Sequence, residues 1–316
     1  MQIKICDMVT GQSYEGFYLL SSMSLKKTKA GKTYLAGEIA DSTGSIPVVF
    51  WDYNGEPKDE DAGAIIKVRG EVSEFNGKKQ FTMQRVRVAT DGDEYDLKEL
   101  VPCAPIDVAG EMEYVERAIE GMHDGDYRRF AAAAFKRHEK AFQTLPAAKG
   151  VHHAFVSGLL MHTASMLKMA EALCNVYGAR YINRDLLIAG VLVHDLAKEQ
   201  EFEVSPTGIV TDYTESGNLI GHTVMGMMEV ERIAKLVLMP PEKMLLLQHM
   251  VAAHHGKPEW GAAVVPQTVE AEMLHYLDLI DSRYEIYREA MEQTPQGEFS
   301  DRIFALEHRV FNHREM

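Results

Sequence analysis

The chain has 316 residues, 46% of them hydrophobic, and a formal net charge of −14. That length suits one large domain or two, no stretch reaches the roughly 18 consecutive apolar residues of a membrane span, and the charge argues against a protein that coats duplex nucleic acid through a broad basic face. The first residues lack the apolar core of a signal peptide, and the three cysteines, Cys6, Cys103 and Cys174, form no CxxC, so a reducing, cytoplasmic setting is expected.

Charge and histidine are unevenly spread. Residues 1–90 hold 12 Lys+Arg against 11 Asp+Glu, which leaves about −15 to the remainder, and all 13 histidines lie from His123 onward. Two domains with different work are expected: residues 1–90, a linker over 91–105, and a second domain over 106–316.

The first 90 residues read as strands. Tyr14–Ser24, Thr33–Ile39, Ile46–Trp51, Ala64–Glu74 and Lys79–Ala89 are rich in β-branched and aromatic residues, and turn signals separate them. Asn76-Gly77 is the strongest hairpin signal. Five strands in so short a span, with no helix between them, predict a small antiparallel barrel. The pattern resembles an OB-fold, which commonly binds single-stranded nucleic acid by stacking bases on aromatics in a basic groove. Phe50, Trp51, Phe75 and Phe81 are the candidate platforms, and equally they suit the barrel interior. Lys26, Lys27, Lys29 and Lys32 at one tip and Lys78 and Lys79 at another, with Arg85 and Arg87, are candidates for tracking phosphates; the bland reading is that they solubilise two turns.

After Pro102 and Pro105 the period becomes helical. Asp107–Gly121 and Asp126–Phe142 predict two amphipathic helices. The next helix carries the stripe Phe155, Leu159, His162, Met166, Met169, Leu173, with a histidine where an apolar residue is expected. A single such histidine is explained as a hydrogen-bonded core residue. The run Leu186–Ala197 is almost wholly apolar except for His194-Asp195, and it predicts a buried helix. Burying an ionised carboxylate costs several kcal/mol or more unless it is paired or bound to metal. Lys198 follows one turn on, as a cation suited to a helix C-terminus or as a phosphate clamp.

His222 comes at the start of a further helix. His254-His255 sit in the last turn of a helix ended by Gly256 and Pro258, where free carbonyls favour a nearby cation. The helix Ala271–Arg283 places Asp278 and Asp281 among leucines. His162, His194, Asp195, His222, His254, His255 and Asp278 therefore come from five helices. Imidazole and carboxylate without thiolate suit Mn²⁺, Fe²⁺, Zn²⁺ or Mg²⁺, and seven ligands are too many for one ion and right for two.

The order H…HD…H…HH…D resembles the HD-domain metal-dependent phosphohydrolases, an all-α fold. The segments PAAKGVHHAFVSGLLMHT (146–163), HDLAKEQE (194–201), ESGNLIGH (215–222), LLLQHMVAAHHGKPEWGAAVVP (245–266) and EFSDRIFALEHR (298–309) look like those of YhaM-type 3′→5′ exoribonucleases, which join an N-terminal OB-fold to a C-terminal HD domain. The resemblance implies a Mn²⁺-favouring enzyme that trims single-stranded RNA, and DNA also, from a free 3′ end. By motif position it makes those seven residues the metal ligands, with Asp278 chosen over Asp281, and it leaves His152, His153 and Asp281 without roles. The mechanism expected is attack by a metal-activated water, with Asp195 bridging two ions and Lys198 beside the phosphate. Two other readings remain at this point: an HD nucleotide or cyclic-nucleotide phosphohydrolase with a regulatory OB module, and a non-catalytic single-strand binder. No membrane partner is expected, and exposed faces of the helical half leave room for a homo-oligomer.

Overall fold

The computed structural model describes residues 3–313 except 59–60, 76, 91, 150–152, 179 and 206. Asn76, Asp91 and His152, named above, lie outside the described residues. The chain divides into two units, Met1–Cys103 with Val204–Thr211, and Ala104–Glu203 with Asp212–Met316.

In the first unit, β1 (Ser13–Lys27), β2 (Thr33–Asp41), β3 (Gly44–Phe50), β4 (Ile65–Phe75) and β5 (Lys78–Val88) form a closed barrel in the order β1-β2-β3-β5-β4. All pairings are antiparallel except β3 with β5, which is parallel and spans only Val48–Phe81 and Val49–Thr82. Alternation decides the faces: Ile66, Val68 and Val72 of β4 point into the core, while Arg69 and Glu71 are exposed. The β4–β5 register shifts after Arg69. Gly70 is required there, because a Cβ would stand 2.2 Å from the Thr82 carbonyl oxygen. The expected linker is more ordered than its composition suggests. It contains the short helix α1 (Leu97–Leu100), Glu99 accepts a hydrogen bond from the Ser42 backbone, and Leu100 and Val101 are buried.

The second unit is helical. It runs α2 (Val108–Glu120), α3 (Gly125–Arg137), α4 (Glu139–Thr144), α5 (Gly158–Tyr177), α6 (Arg184–Val193) and α7 (Lys198–Glu201). After strands β6 (Phe202–Val204) and β7 (Val210–Tyr213), whose residues 204 and 210–211 count with the first unit, come α8 (Glu215–Leu219), α9 (His222–Leu236), α10 (Pro241–Ala253) and α11 (Val269–Gln293). One apolar core joins α2–α6 with α9–α11. At its centre every residue of α6 from Asp185 to Val193 is buried. Asp185 is tolerated because its carboxylate accepts from the backbone N–H groups of His123 and Asp124 at 2.7 and 2.6 Å. The predicted helix over 186–197 stops early, at Val193: His194 is its C-cap, and His194 to Ala197 form turns. Likewise α10 ends at Ala253, one residue before the histidine pair, and Phe155 precedes α5 rather than lying in it. Among the described residues no helix is long and apolar enough to cross a membrane.

Candidate metal centre

The seven predicted ligands converge within the helical unit. His162 comes from the first turns of α5, His194 and Asp195 from the residues just after α6, His222 from the first residue of α9, His254 and His255 from the residues just after α10, and Asp278 from the middle of α11. Asp195 stands between two groups. Its Oδ2 lies 3.4 Å from His194 Nε2 and 3.8 Å from His162 Nε2, and its Oδ1 lies 3.8 Å from His222 Nε2 and 3.9 Å from His254 Nε2. Asp278 Oδ1 approaches His162 Nε2 to 3.5 Å. His222, His254 and His255 bring one ring nitrogen each within 4.8 Å of one another, and so do the ligand atoms of His162, His194 and Asp195.

The far side of these imidazoles is held. His194 Nδ1 donates to Val191 O at 2.8 Å and His254 Nδ1 to Val251 O at 2.6 Å. His222 Nδ1 bonds Glu201 at 2.9 and 3.0 Å, and His162 Nδ1 bonds Asp281 Oδ2 at 2.7 Å. Those bonds fix each ring so that Nε2 faces Asp195, the outer support that metal-ligating histidines ordinarily have. His222 Nε2, His254 Nε2 and His255 Nδ1 are buried atoms without a hydrogen-bond partner. Buried polar atoms left unsatisfied are costly and rare, and three of them in one cluster, beside a buried carboxylate, fit a divalent cation.

Electrostatics point the same way at Asp195, His254 and His255, whereas at His194 burial works against the charged form but Asp195 and Asp278 outweigh it and raise the imidazole pKa. Burial would push the Asp195 carboxyl up, but Lys198 and His194 beside it hold it well below the usual carboxylate range. Burial also works against the charged form of Lys198, and Asp195, 2.7 Å away, more than offsets it and raises the ammonium pKa. Burial, with the charges of His255 and His194, holds His254 well below an ordinary imidazole, and burial with His222 lowers His255. Neutral imidazole and ionised carboxylate are the protonation states a metal needs.

Three residues to which the sequence assigned no role, Asp281, His153 and Glu201, support the centre. Asp281 is buried and accepts from both His162 Nδ1 and His153 Nε2, at 2.7 and 2.8 Å, so it sits behind His162 while Asp278 is beside the ring's other nitrogen. Glu201 receives both the backbone N–H and the ring of His222. Its signal was available: a glutamate two positions past Glu199 in a short helix that follows the HD pair. The positional choice of aspartate gave no hint of the His153–Asp281–His162 relay, because His153 lies outside any helix. Over the centre opens a cavity of about 390 Å³, whose walls include Asp195, Lys198, His222, His255, Asp278, Tyr213 and Trp260. Lys198 Nζ also donates to Ala147 O at 2.8 Å, so its ammonium is fixed at the cavity wall.

The predicted nucleic-acid residues separate into two sets. Phe50 is 4% exposed and Phe81 0%: their side chains fall on the inward face of β3 and β5 and fill the barrel, so neither can offer a ring to a base, and that expectation is corrected. Trp51 and Phe75 are exposed, at 45% and 62%, and Trp51 stacks on Tyr34 with centroids 4.6 Å apart. Lys26, Lys27, Lys29, Lys32, Lys78 and Lys79 are all exposed. Lys32 pairs with Asp52 at 2.7 Å and Lys79 donates to Met8 O at 2.7 Å.

Residues 20–89 match the family described as OB-fold nucleic acid binding domain, and residues 159–283 match the HD domain. With the histidine–aspartate centre, these define a metal-dependent HD phosphohydrolase that carries an OB-fold module. A curated relative, the 3′-5′ exoribonuclease YhaM of Geobacillus sp. (strain WCH70), is 36% identical over 304 residues, 95% of this chain and 92% of its own. The chain belongs to the YhaM family of 3′-5′ exoribonucleases. Two solved OB domains are similar to parts of the chain. One from Thermoplasma acidophilum is 16% identical and covers 30% of this chain and 91% of its own, with a TM-score of 0.25. The second OB-fold domain of replication protein A from Methanococcus maripaludis is 19% identical over 30% of this chain and 100% of its own, with a TM-score of 0.23.

Proposed function

We propose that this chain removes nucleotides one at a time from the free 3′ end of single-stranded RNA, and of DNA also, by hydrolysis at two divalent cations, Mn²⁺ being the preferred ion. The observation that carries the reading is the convergence of four imidazole Nε2 atoms on one buried carboxylate, Asp195, beneath an open cavity. His162, His194, Asp195 and Asp278 would hold one ion, and Asp195, His222, His254 and His255 the other. Divalent cations at such a centre lower the pKa of bound water toward neutrality and stabilise charge on a phosphodiester.

The chain's own residues do the rest. Asp195 stays ionised and is addressed from both oxygens, the geometry a bridge requires. Lys198, anchored by Asp195 and Ala147, keeps its proton and supplies a fixed positive charge where phosphate oxygens gather more negative charge in the transition state. Glu201, Asp281 and the carbonyls of Val191 and Val251 keep the imidazoles from turning. Tyr213 and Trp260 offer ring faces on the cavity wall for the terminal base. The exposed Trp51 and Phe75 and the six tip lysines would hold the strand on the barrel. The three cysteines are free, in keeping with work in the cytoplasm.

The test offers 5′-labelled single-stranded RNA, with its 3′ end free or blocked by a phosphate, to the full chain in Mn²⁺. Stepwise shortening of the free-ended strand alone is expected. Internal cuts, or turnover confined to mononucleotides, would overturn the proposal.

A further inference from the structure

The β4–β5 ladder carries like charges face to face. Lys67 stands opposite Arg87, and Arg69 opposite Arg85, in one antiparallel register. Directly opposed side chains on one face of such a pair lie about 4.5–5.5 Å apart at Cβ, where like charges destabilise the sheet. Two of the four are balanced. Arg87 is gripped by both oxygens of Asp93 at 2.6 and 2.7 Å, and Lys67 has Glu15 at 3.8 Å and the Phe17 ring at 5.3 Å. Arg69 and Arg85 have no carboxylate partner among the described residues. Glu15 faces Arg69 across the β1–β4 register, but its carboxylate is the one that reaches Lys67.

Beside these arginines lies a cavity. Its volume is about 490 Å³, and Phe50, Asn54, Glu15, Arg69, Gln84 and Arg85 are among the residues that line it. Gln84 is the extra residue of the bulge, exposed and unmatched in the register. A guanidinium is suited to bidentate capture of phosphate, and a cavity of that volume accepts a small organic group. Along the ladder the cations recur every two residues, about 6.6 Å apart, a row that successive phosphates can use and a single free nucleotide cannot.

We infer that Arg69 and Arg85 form a phosphodiester site on the outer β4–β5 face, with the adjoining nucleoside in the neighbouring cavity. It is a second contact for the strand, apart from the tip lysines and Trp51, and it rests on the nucleic-acid reading above. The repulsion built into the empty ladder is relieved when the strand binds.

Fluorescence anisotropy tests it, with the full chain in EDTA and a labelled single-stranded RNA of about 12 nucleotides, over a series of salt concentrations. Each phosphate contact contributes about −0.7 to the slope of log K against log salt for a single strand. Arg69→Gln with Arg85→Gln is expected to flatten that slope by about 1.4 and to weaken binding at low salt roughly tenfold or more. Hydrolysis of bis(p-nitrophenyl) phosphate in Mn²⁺ should be unchanged, and the melting temperature equal to or above the wild type. Arg85→Glu, able to pair with Arg69 across the ladder, should be more stable still and lose the same binding. An unaltered affinity and slope in either variant overturns the inference. Displacement of the strand by micromolar AMP overturns it too, by making a free nucleotide the occupant. A wild-type chain that fails to bind the strand overturns it as well; if that chain still shortens RNA in Mn²⁺ the exonuclease reading stands, and if it does not, both fall.

Discussion

Asp281→Asn separates the residue that supports a ligand from the residue that is one. The Asp281 carboxylate is buried, and one of its oxygens accepts from His162 Nδ1 at 2.7 Å and from His153 Nε2 at 2.8 Å. Burial would raise its pKa, but the hydrogen bonds from His153 and His162 keep it well below the ordinary range, so both bonds are made to a charge. A charge-assisted bond contributes about 1.5–3 kcal/mol and a neutral one about 0.5–1.5. Asparagine keeps the shape and an acceptor oxygen, so the His162 bond weakens by about 1–2 kcal/mol rather than vanishing. Since about 1.4 kcal/mol is tenfold, metal affinity should fall about 5- to 30-fold, overlapping the lower part of the range for partners of metal-bound histidines. Excess metal should then restore kcat. Asp278→Asn removes a proposed ligand instead, and its lost turnover should persist at saturating Mn²⁺. The assay is calorimetric titration of the metal-free chain with Mn²⁺, followed by turnover of labelled RNA across the same metal range. If Asp281→Asn stays inactive at saturating metal while Asp278→Asn is rescued, the two aspartates have exchanged roles and the ligand set is wrong.

Lys198→Met should lower kcat about 100-fold, the scale for losing one preorganised charge at a reacting oxyanion, and leave Mn²⁺ affinity equal or tighter, because a competing cation on Asp195 is gone; calorimetry and single-turnover cleavage separate the two effects. Gly217→Ala would place a Cβ 2.3 Å from the Glu201 carbonyl oxygen, and the overpacking should cost about 1–3 kcal/mol. The expected signature is a lower melting temperature together with weaker Mn²⁺ binding, since Glu201 holds His222. Lys243 bridges Asp124 and Asp126 at 2.6 to 2.7 Å, and its hydrogen bond lowers the Asp126 pKa in the folded chain. The unfolded chain therefore binds the extra proton first, so the bridge contributes fully above the unfolded carboxylate pKa of about 4 and is lost as pH falls through the folded one. Lys243→Met should melt below the wild type near pH 7 and converge on it near pH 2; a constant difference between the two would refute the linkage.

What the sequence made legible follows from period and from anomaly. Strand-forming composition between turn signals marked all five barrel strands, and polar groups in apolar runs marked His162, His194, Asp195 and Asp278 at the centre. Faces were harder. Phe50 and Phe81 read alike with Trp51 and Phe75 as candidate platforms, because the direction in which each ring points depends on barrel closure and not on residue type. Arg85 was a candidate from the start, but Arg69 and its pairing with Arg85 were hidden for the same reason: the two lie 16 residues apart, and only the register through the bulge sets them opposite one another. Support within the centre was hidden differently. His153 has a positive φ of 55° in a non-helical segment, so no period could place it against Asp281.

The helix ends explain why the centre sits where it does. A run of apolar residues from 186 to 197 predicts a helix that continues through Asp195, yet α6 stops at Val193 and α10 stops at Ala253, each one residue before a histidine. In both, the C-cap is that histidine, with right-handed backbone angles, and its Nδ1 donates to the carbonyl three residues back, Val191 or Val251. The last carbonyls of a helix have no intrahelical donor and must find one. Here a histidine ring supplies it, and the same bond turns the other ring nitrogen, Nε2, toward Asp195. Two helix C-termini thus bring partial negative charge to the place where cations would sit, and ring orientation comes from backbone groups that needed a partner in any case. A histidine in mid-helix would find those carbonyls already taken and would need a side chain behind it, as His162 needs Asp281. That difference makes Asp281, with Glu201 behind His222, the support most exposed to substitution: the carbonyls of Val191 and Val251 cannot be mutated away, and a carboxylate can.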